Sequence, residues 1–256
     1  GIPCIERVTA GARQVQVIIL SPTRELATQI ARELADIGKY KDLRVLAVYG
    51  GVAMGPQETA LEEGVEVVVG TPGRVLDHIR RGNLDLSNVL VACLDEADEM
   101  LSMGFFKDVT DILKKAPTES QTLLFSATVD ADVKRLVARH LKDPLDIMLS
   151  TDTDKVDGIT HILYETDPSF HKARALLALI DQENPGSTIV FCNTREDTAT
   201  VATFLDRQGL NAQLISGELA QNKRTKVMDK VKSGEVQFLI ATDVASRGID
   251  ISDLSH

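Results

Sequence analysis

Four carboxylates, Asp95, Glu96, Asp98 and Glu99, follow the apolar run 89-VLVACL-94 in the stretch 94-LDEADEM-100. A strand that ends in Asp-Glu delivers two acids to the carboxyl edge of a sheet, where open α/β folds bind ligands. One such carboxylate can hold Mg2+, directly or through water, against nucleotide phosphates. The next can orient and deprotonate an attacking water. A plainer electrostatic reading competes: acids at the start of a helix stabilise its positive end.

These acids need a sheet behind them, and the sequence supplies one. Near-continuous apolar runs at 15-VQVIIL-20, 44-RVLAVYG-50, 65-VEVVVG-70, 89-VLVACL-94 and 122-TLLFS-126 read as strands buried on both faces. Helical patterns lie between them, such as 24-RELATQIARELADIGKY-40 and 73-GRVLDHIRRG-82. In the first, Leu26, Ile30, Leu34 and Ile37 predict one apolar stripe. Alternating strands and helices imply a parallel sheet covered on both faces, an α/β fold. The pattern breaks at the polar segment 150-STDTDKVDG-158, which reads as a linker. It then restarts, with strands expected at 160-THILYE-165, 187-STIVFC-192, 212-AQLIS-216 and 236-VQFLIA-241. Helices are expected at 171-HKARALLALIDQE-183, 195-REDTATVATFLDRQG-209 and 221-QNKRTKVMDKVKSG-234. Two α/β units follow, at residues 1–149 and 159–256, joined by 150–158.

Composition sets bounds. The 256 residues are 43% hydrophobic, enough for ordinary globular cores. No apolar run reaches the ~18 residues of a membrane span. The first residues, GIPCIERV, have neither the basic start nor the long apolar stretch of a signal peptide. A cytoplasmic protein without membrane attachment is the expectation. Cys4, Cys93 and Cys192 form no zinc-ligand spacing and read as reduced, mostly buried thiols. A net charge of −10 argues against a general polyanion-coating protein but leaves room for a local basic groove.

Such a groove has candidates. In 22-PTRELA-27 and 71-TPGR-74 a strand gives way to a helix start, whose free N–H groups suit phosphate oxygens. Arg24 and Arg74 add positive charge, and Gly73 lets a backbone approach. Ordinary helix punctuation by Pro and Thr explains the same residues. Gly50-Gly51 fits either a groove or a plain loop. In the second unit Asn193, Thr194 and Arg195 follow a strand, Thr242 follows another, and Gln221 and Arg224 share a helix face. Arg195 and Arg224 could equally be solvated helix charges, and 126-SAT-128 could cap the next helix.

Taken together these motifs resemble the DEAD-box ATP-dependent RNA helicases. The signature stands as Asp95-Glu96-Ala97-Asp98, with 22-PTRELA-27, Gly50-Gly51 and 71-TPGR-74 before it. After it come 126-SAT-128, 189-IVFCNT-194, 221-QNKR-224 and 241-ATDVASRGID-250, so the resemblance spans the chain. It implies two RecA-like domains in tandem, using ATP and Mg2+ on an RNA strand or short duplex. It also implies roles. Asp95 takes the metal through its water shell, Glu96 positions the hydrolytic water, and Asp98 pairs with Ser126 and Thr128 to link the ATP site to domain closure. Asp243, Gly248 and Asp250 face the nucleotide in the inter-domain cleft. Pro22, Thr23, Arg24, Gly50, Gly51, Thr71, Pro72, Gly73 and Arg74 contact the RNA backbone. Asn193, Thr194, Arg195, Gln221, Arg224 and Thr242 continue that track. Contacts of this kind position a strand without reading bases. Closure of the cleft would bend one strand and pry a duplex apart locally.

Two expected parts are absent. No GxxxxGK[ST] occurs, so the sequence holds no phosphate-binding nest with its lysine. The family's HRxGR arginines are missing too. The expectation is a fragment truncated at both outer ends, inactive by itself, that has lost a central strand of its first sheet and is marginal there. The alternatives are a non-catalytic RNA-binding or annealing module and a DNA helicase of the same superfamily.

Overall fold

A computed structural model describes residues 1–148, 159–167, 171–216, 219, 221–242, 251 and 254–256, with the backbone alone at 221 and 222. The chain divides into two compact units, Gly1–Thr153 and Asp154–His256. The segment 150–158, expected as a linker, lies outside the described residues.

The first unit opens with α1 (Ile2–Arg7), β1 (Val17–Leu20) and α2 (Arg24–Gly38), which runs into a 3-10 turn at Lys39–Lys41. Next come β2 (Val45–Val48), α3 (Gly55–Glu63), β3 (Val67–Gly70), α4 (Pro72–Arg81), β4 (Val91–Leu94) and α5 (Ala97–Ser102). It closes with α6 (Phe106–Leu113), β5 (Gln121–Leu124) and α7 (Ala131–His140). The strands form one parallel sheet in the order β2-β3-β1-β4-β5.

Strand alternation sorts the side chains into two layers. Ile18, Leu20, Val68, Ala92 and Leu94 pack with Val75 of α4, Met100 of α5, Ile112 of α6 and Leu136 of α7. Val17, Ile19, Val67, Val69, Val91 and Cys93 face Cys4 and Ile5 of α1 and Ala27, Ala31 and Leu34 of α2. Each fully buried Val, Leu or Ile contributes about 1.5–3 kcal/mol, so both faces are well held. The buried stripe of α2 differs from the expected one. Ala27, Ala31 and Leu34 face the sheet and Gly38 is buried against Leu43 and Ile5, while Leu26 and Ile30 are part-exposed and Ile37 is exposed. Small residues let the helix lie close to the strands, and of the four expected residues Leu34 keeps a buried place beside them.

Register has a functional consequence. Leu20 pairs with Gly70 and Leu94, Val48 with Gly70, and Leu94 with Leu124. All five strands therefore end in one row. The segments that follow them, starting at Tyr49, Thr71, Ser21, Asp95 and Phe125, lie along one edge. Gly70 makes the close approach possible, since a side chain there would run into Val48 O and Val75. The described sheet is continuous, because each neighbouring pair is laddered over four residues, and its edges are β2 and β5.

The second unit contains α8 (Lys172–Glu183), β6 (Thr188–Cys192), α9 (Arg195–Arg207), β7 (Ala212–Ile215), α10 (Gln221–Lys232) and β8 (Phe238–Thr242). Its parallel sheet has the order β6-β8-β7. The strand expected at 160–165 is not formed. Residues 159–167 carry no regular structure, and Ile162, Leu163 and Tyr164 are exposed. A short apolar segment becomes a strand only when a ladder partner takes its N–H and C=O groups, and none does so among the described residues. No described helix is long and apolar enough to cross a membrane.

Candidate functional site

β4 carries the acids to the edge. After Leu94, the Asp95 N–H donates to Leu20 O at 2.9 Å, which keeps the chain in the ladder for one more residue. Glu96 then turns left-handed, with φ 51° and ψ 54°. For a residue with a Cβ this conformation costs about 1–2 kcal/mol. It is held by the Glu96 N–H donating to Asp95 Oδ1 at 3.1 Å and by the Ala97 N–H donating to Phe125 O at 3.0 Å. The turn stops the strand and starts α5, with Ala97 fully buried beneath it. Strain in a non-glycine residue at an open sheet edge is the pattern of functional sites.

The two readings of the acidic cluster divide its residues between them. Asp98 and Glu99 lie in the first turn of α5, as the electrostatic reading requires, whereas Asp95 and Glu96 precede it. Asp98 also does more. Its Oδ2 accepts from the Thr128 N–H at 2.9 Å and from Thr128 Oγ1 at 2.8 Å. The Asp98 N–H donates to Ser126 Oγ at 3.2 Å, and Ser126 Oγ donates to Thr128 O at 2.7 Å. This joint ties the β4–α5 turn to the segment after β5. Capping does not explain Ser126 and Thr128, because Asp130 caps α7 by accepting from the Val133 N–H at 2.8 Å.

The same environment pushes the two aspartates apart. Burial raises Asp95 above the usual carboxylate range, only partly countered by the Glu96 N–H. Burial pushes Asp98 the same way, but the hydrogen bonds its carboxylate accepts from Thr128 and the Glu99 N–H outweigh it and hold Asp98 below that range. Behind them, burial and the nearby Asp95 push the Cys93 thiol up to about 12, which leaves it an inert core group. Among the described residues no cluster of three or more His, Cys, Asp or Glu could cage a metal. A lone part-buried carboxylate at an open edge suits Mg2+, which keeps most of its waters and is held by one or two carboxylates with substrate phosphates.

Along the same edge the basic candidates converge. Pro22 and Thr23 are buried, and Thr23 caps α2 by accepting from the Leu26 N–H at 3.3 Å. Arg24 starts that helix, and its guanidinium lies against Gly51 where any side chain would overlap it. Gly51 has φ +79°, while Gly50 has open space around it. Thr71 precedes α4 without a side-chain cap, its N–H donating to Val48 O at 3.0 Å. Pro72 is buried and Gly73 exposed. Arg74 turns back toward the glycine loop: Nη2 donates to Val52 O at 3.2 Å and Nη1 to Gln57 Oε1 at 3.4 Å. Gln57 and His78, both buried, complete this arrangement and were not foreseen. His78 had a faint signal, lying four residues beyond Arg74 on one helix face. Gln57 had none.

In the second unit Asn193 and Thr194 occupy the exposed turn after β6. Thr194 caps α9, accepting from the Asp197 N–H at 3.1 Å and donating to Asp197 Oδ2 at 2.7 Å. Arg195 is the exposed first residue of α9. Arg224 is buried, so it is not a solvated helix charge. Thr242 ends β8 in register with Cys192. Gln221 begins α10, but its side chain lies outside the described residues, as do Asp243, Gly248 and Asp250.

Residues 1–136 match the DEAD/DEAH box helicase family, and residues 171–256 match the helicase conserved C-terminal domain. The chain is 41% identical over 256 residues to the DEAD-box ATP-dependent RNA helicase CshA of Bacillus subtilis, covering 100% of this chain and 52% of that protein. To CshA of Geobacillus kaustophilus it is 42% identical, covering 55% of that protein. It thus spans about half the length of the curated relatives it matches. Among solved structures, S. cerevisiae Dbp5 bound to RNA and ADP BeF3 superposes with a TM-score of 0.88 at 28% identity, over 98% of this chain and 64% of that one. A DEAD box protein from the hyperthermophile Methanococcus jannaschii gives 0.56 at 42% identity, over 99% and 68%. With its signature acids at the edge of a parallel sheet and both family models matched in order, the chain belongs to the DEAD-box helicases, built from RecA-like α/β domains in tandem.

Proposed function

We propose that this chain belongs to an ATP-dependent RNA helicase that remodels RNA duplexes locally. The observation that carries the reading is the joint of Asp98 with Ser126 and Thr128, set beside Asp95 and Glu96 at one sheet edge. The named activity of the CshA relatives and the RNA and ADP BeF3 bound to Dbp5 support it. In this reading Glu96 orients a water and accepts its proton as the water oxygen bonds to the γ-phosphorus. The bond to the bridging oxygen breaks, and ADP departs with the electron pair. Asp95 holds Mg2+ through water. When bound, the ion neutralises charge on the phosphates. Asp98 passes changes at Glu96 to the segment 126–128 through Thr128.

RNA is bound by its backbone. Pro22, Thr23, Arg24, Gly50, Gly51, Thr71, Pro72, Gly73 and Arg74 serve in the first unit. Asn193, Thr194, Arg195, Gln221, Arg224 and Thr242 serve in the second. Asp243, Gly248 and Asp250 face the nucleotide. Residues 150–158 link the domains 1–149 and 159–256, and the protein works in the cytoplasm.

The test is RNA-stimulated ATP hydrolysis by the natural full-length protein. Glu96→Gln is expected to lower turnover by about 10²–10⁴-fold, the range for a general base, with RNA binding retained. Unchanged turnover overturns the proposal. The 256-residue chain alone, which has no GxxxxGK[ST], is expected to show no RNA-stimulated hydrolysis. Turnover by that chain, abolished by Glu96→Gln, overturns the expectation.

A further inference from the structure

A buried chain of hydrogen bonds runs beneath the edge to which RNA is assigned in the first unit. At its centre is Gln57 of α3, 6% exposed. Its Nε2 donates to Tyr49 O at 3.0 Å, which fixes the amide orientation and leaves Oε1 as an acceptor. Two donors converge on that oxygen, Arg74 Nη1 at 3.4 Å and His78 Nε2 at 3.1 Å. His78 must therefore carry its proton on Nε2. Its Nδ1 is then an acceptor, met by Asn83 Nδ2 at 3.5 Å. The imidazole is fully buried, and burial together with the adjacent Arg74 holds it below the usual histidine range, in keeping with this neutral tautomer.

Every polar atom of the Gln57 amide is used, and each use has a direction. The donor holds the carbonyl of the residue before Gly50-Gly51. The acceptor holds Arg74, whose other terminal nitrogen grips Val52 O beyond the glycines. Only a side-chain amide offers both on one planar group at this length. We infer that Gln57 is a positioning residue for RNA binding. It locks the glycine loop and the Arg74 guanidinium into one rigid face against which a phosphate can seat. This rests on the RNA reading given above, and Gln57 itself touches no RNA.

The experiment measures binding of a fluorescent oligouridylate to the natural full-length protein by anisotropy across a salt series, in a double-substitution cycle. Arg74→Ala is expected to weaken binding and make the salt dependence shallower by about one counterion. Gln57→Leu is expected to weaken binding about tenfold, the size of one charge-assisted hydrogen bond. In the Arg74→Ala background the same change should cost under about twofold, because Gln57 acts through Arg74. Gln57→Glu keeps the acceptor for Arg74 but loses the donor to Tyr49 O, so its binding should fall between that of the unsubstituted protein and that of Gln57→Leu. Additive losses, or full affinity in Gln57→Leu, overturn the inference. If thermal melting shows that Gln57→Leu does not fold, Asn83→Ala takes its place, with a loss of about two- to threefold expected only when Arg74 is present. No such loss overturns the inference. A full-length protein that does not bind oligouridylate overturns the RNA reading as well, whereas a weakened Arg74→Ala beside an unaffected Gln57→Leu overturns this inference alone.

Discussion

The two units use the same local device in different surroundings. Thr23-Arg24-Glu25 follows β1, and Thr194-Arg195-Glu196 follows β6. Both threonines cap their helices with the same backbone, φ −124° and ψ 157°. Around Thr23 the turn is buried, and the helix it starts lies on a sheet closed by two large layers. Around Thr194 the turn is exposed, and the cap is reinforced locally because Asp197 both donates to and accepts from the threonine. A capping pair of this kind needs only neighbouring residues. Where tertiary packing is thinner, local bonds carry more of the helix start.

Burial follows the same division. In the first unit β1, β3 and β4 are buried throughout. Among the described strands of the second only β8 comes close, with Phe238 and Ile240 on one face and Leu239 and Ala241 on the other. β6 leaves Phe191 exposed. This contrast can be broken by substitution. Phe238→Ala removes the largest fully buried side chain among the described residues of the second unit and should cost about 3–5 kcal/mol. Hydrogen exchange followed by mass spectrometry should show protection lost throughout that unit and kept in the first. Leu94→Ala should instead loosen the first unit only near β4. Equal loss in both units would show that the cores are not separate.

A second test sharpens the contrast within one turn. Asp98→Ala leaves Thr128 and its N–H without their acceptor and should cost about 1.5–3 kcal/mol. With its folded value lowered, the Asp98 contribution is present above the ordinary carboxylate pKa and is lost as pH falls through the folded value. Asp95 has the opposite sign. With its folded value raised, its contribution is present below the ordinary value and is lost as pH rises through the raised one. Asp95→Asn should therefore raise the melting temperature at neutral pH while Asp98→Ala lowers it. Shifts of the same sign would remove the assigned difference between the two acids. The smallest effects concern the caps. Thr23→Ala and Thr194→Ala should each cost about 1 kcal/mol in chemical denaturation, and Asp197→Ala a further few tenths in the second unit alone.

Most of the architecture was legible because each element carries its own signal. The β-branched runs became strands, and the helical periods between them became helices. Two failures have one cause. The stripe of α2 was placed on four long apolar residues, of which Leu34 is buried; the close approach to the sheet selected Ala27 and Ala31 in place of the others. The run 160–165 has the short apolar stretch of a strand, yet a strand is a property of two segments, and its partner is not written in its own residues.

Residue types and spacing along the chain determined the acids at a strand end, the Thr-capped helix starts and the succession of two α/β units, all of which depend on neighbours within a few residues. Tertiary structure decided the rest. It brought Asp98 to Ser126 and Thr128 across some thirty positions of sequence, bonded through Thr128 at 2.8–2.9 Å. It also aligned five strand ends in one row and drew Gln57 and His78 under the glycine loop. Hydrogen bonds and close packing require atoms within a few ångströms, and for residues far apart in the chain only the register of a folded sheet sets that distance.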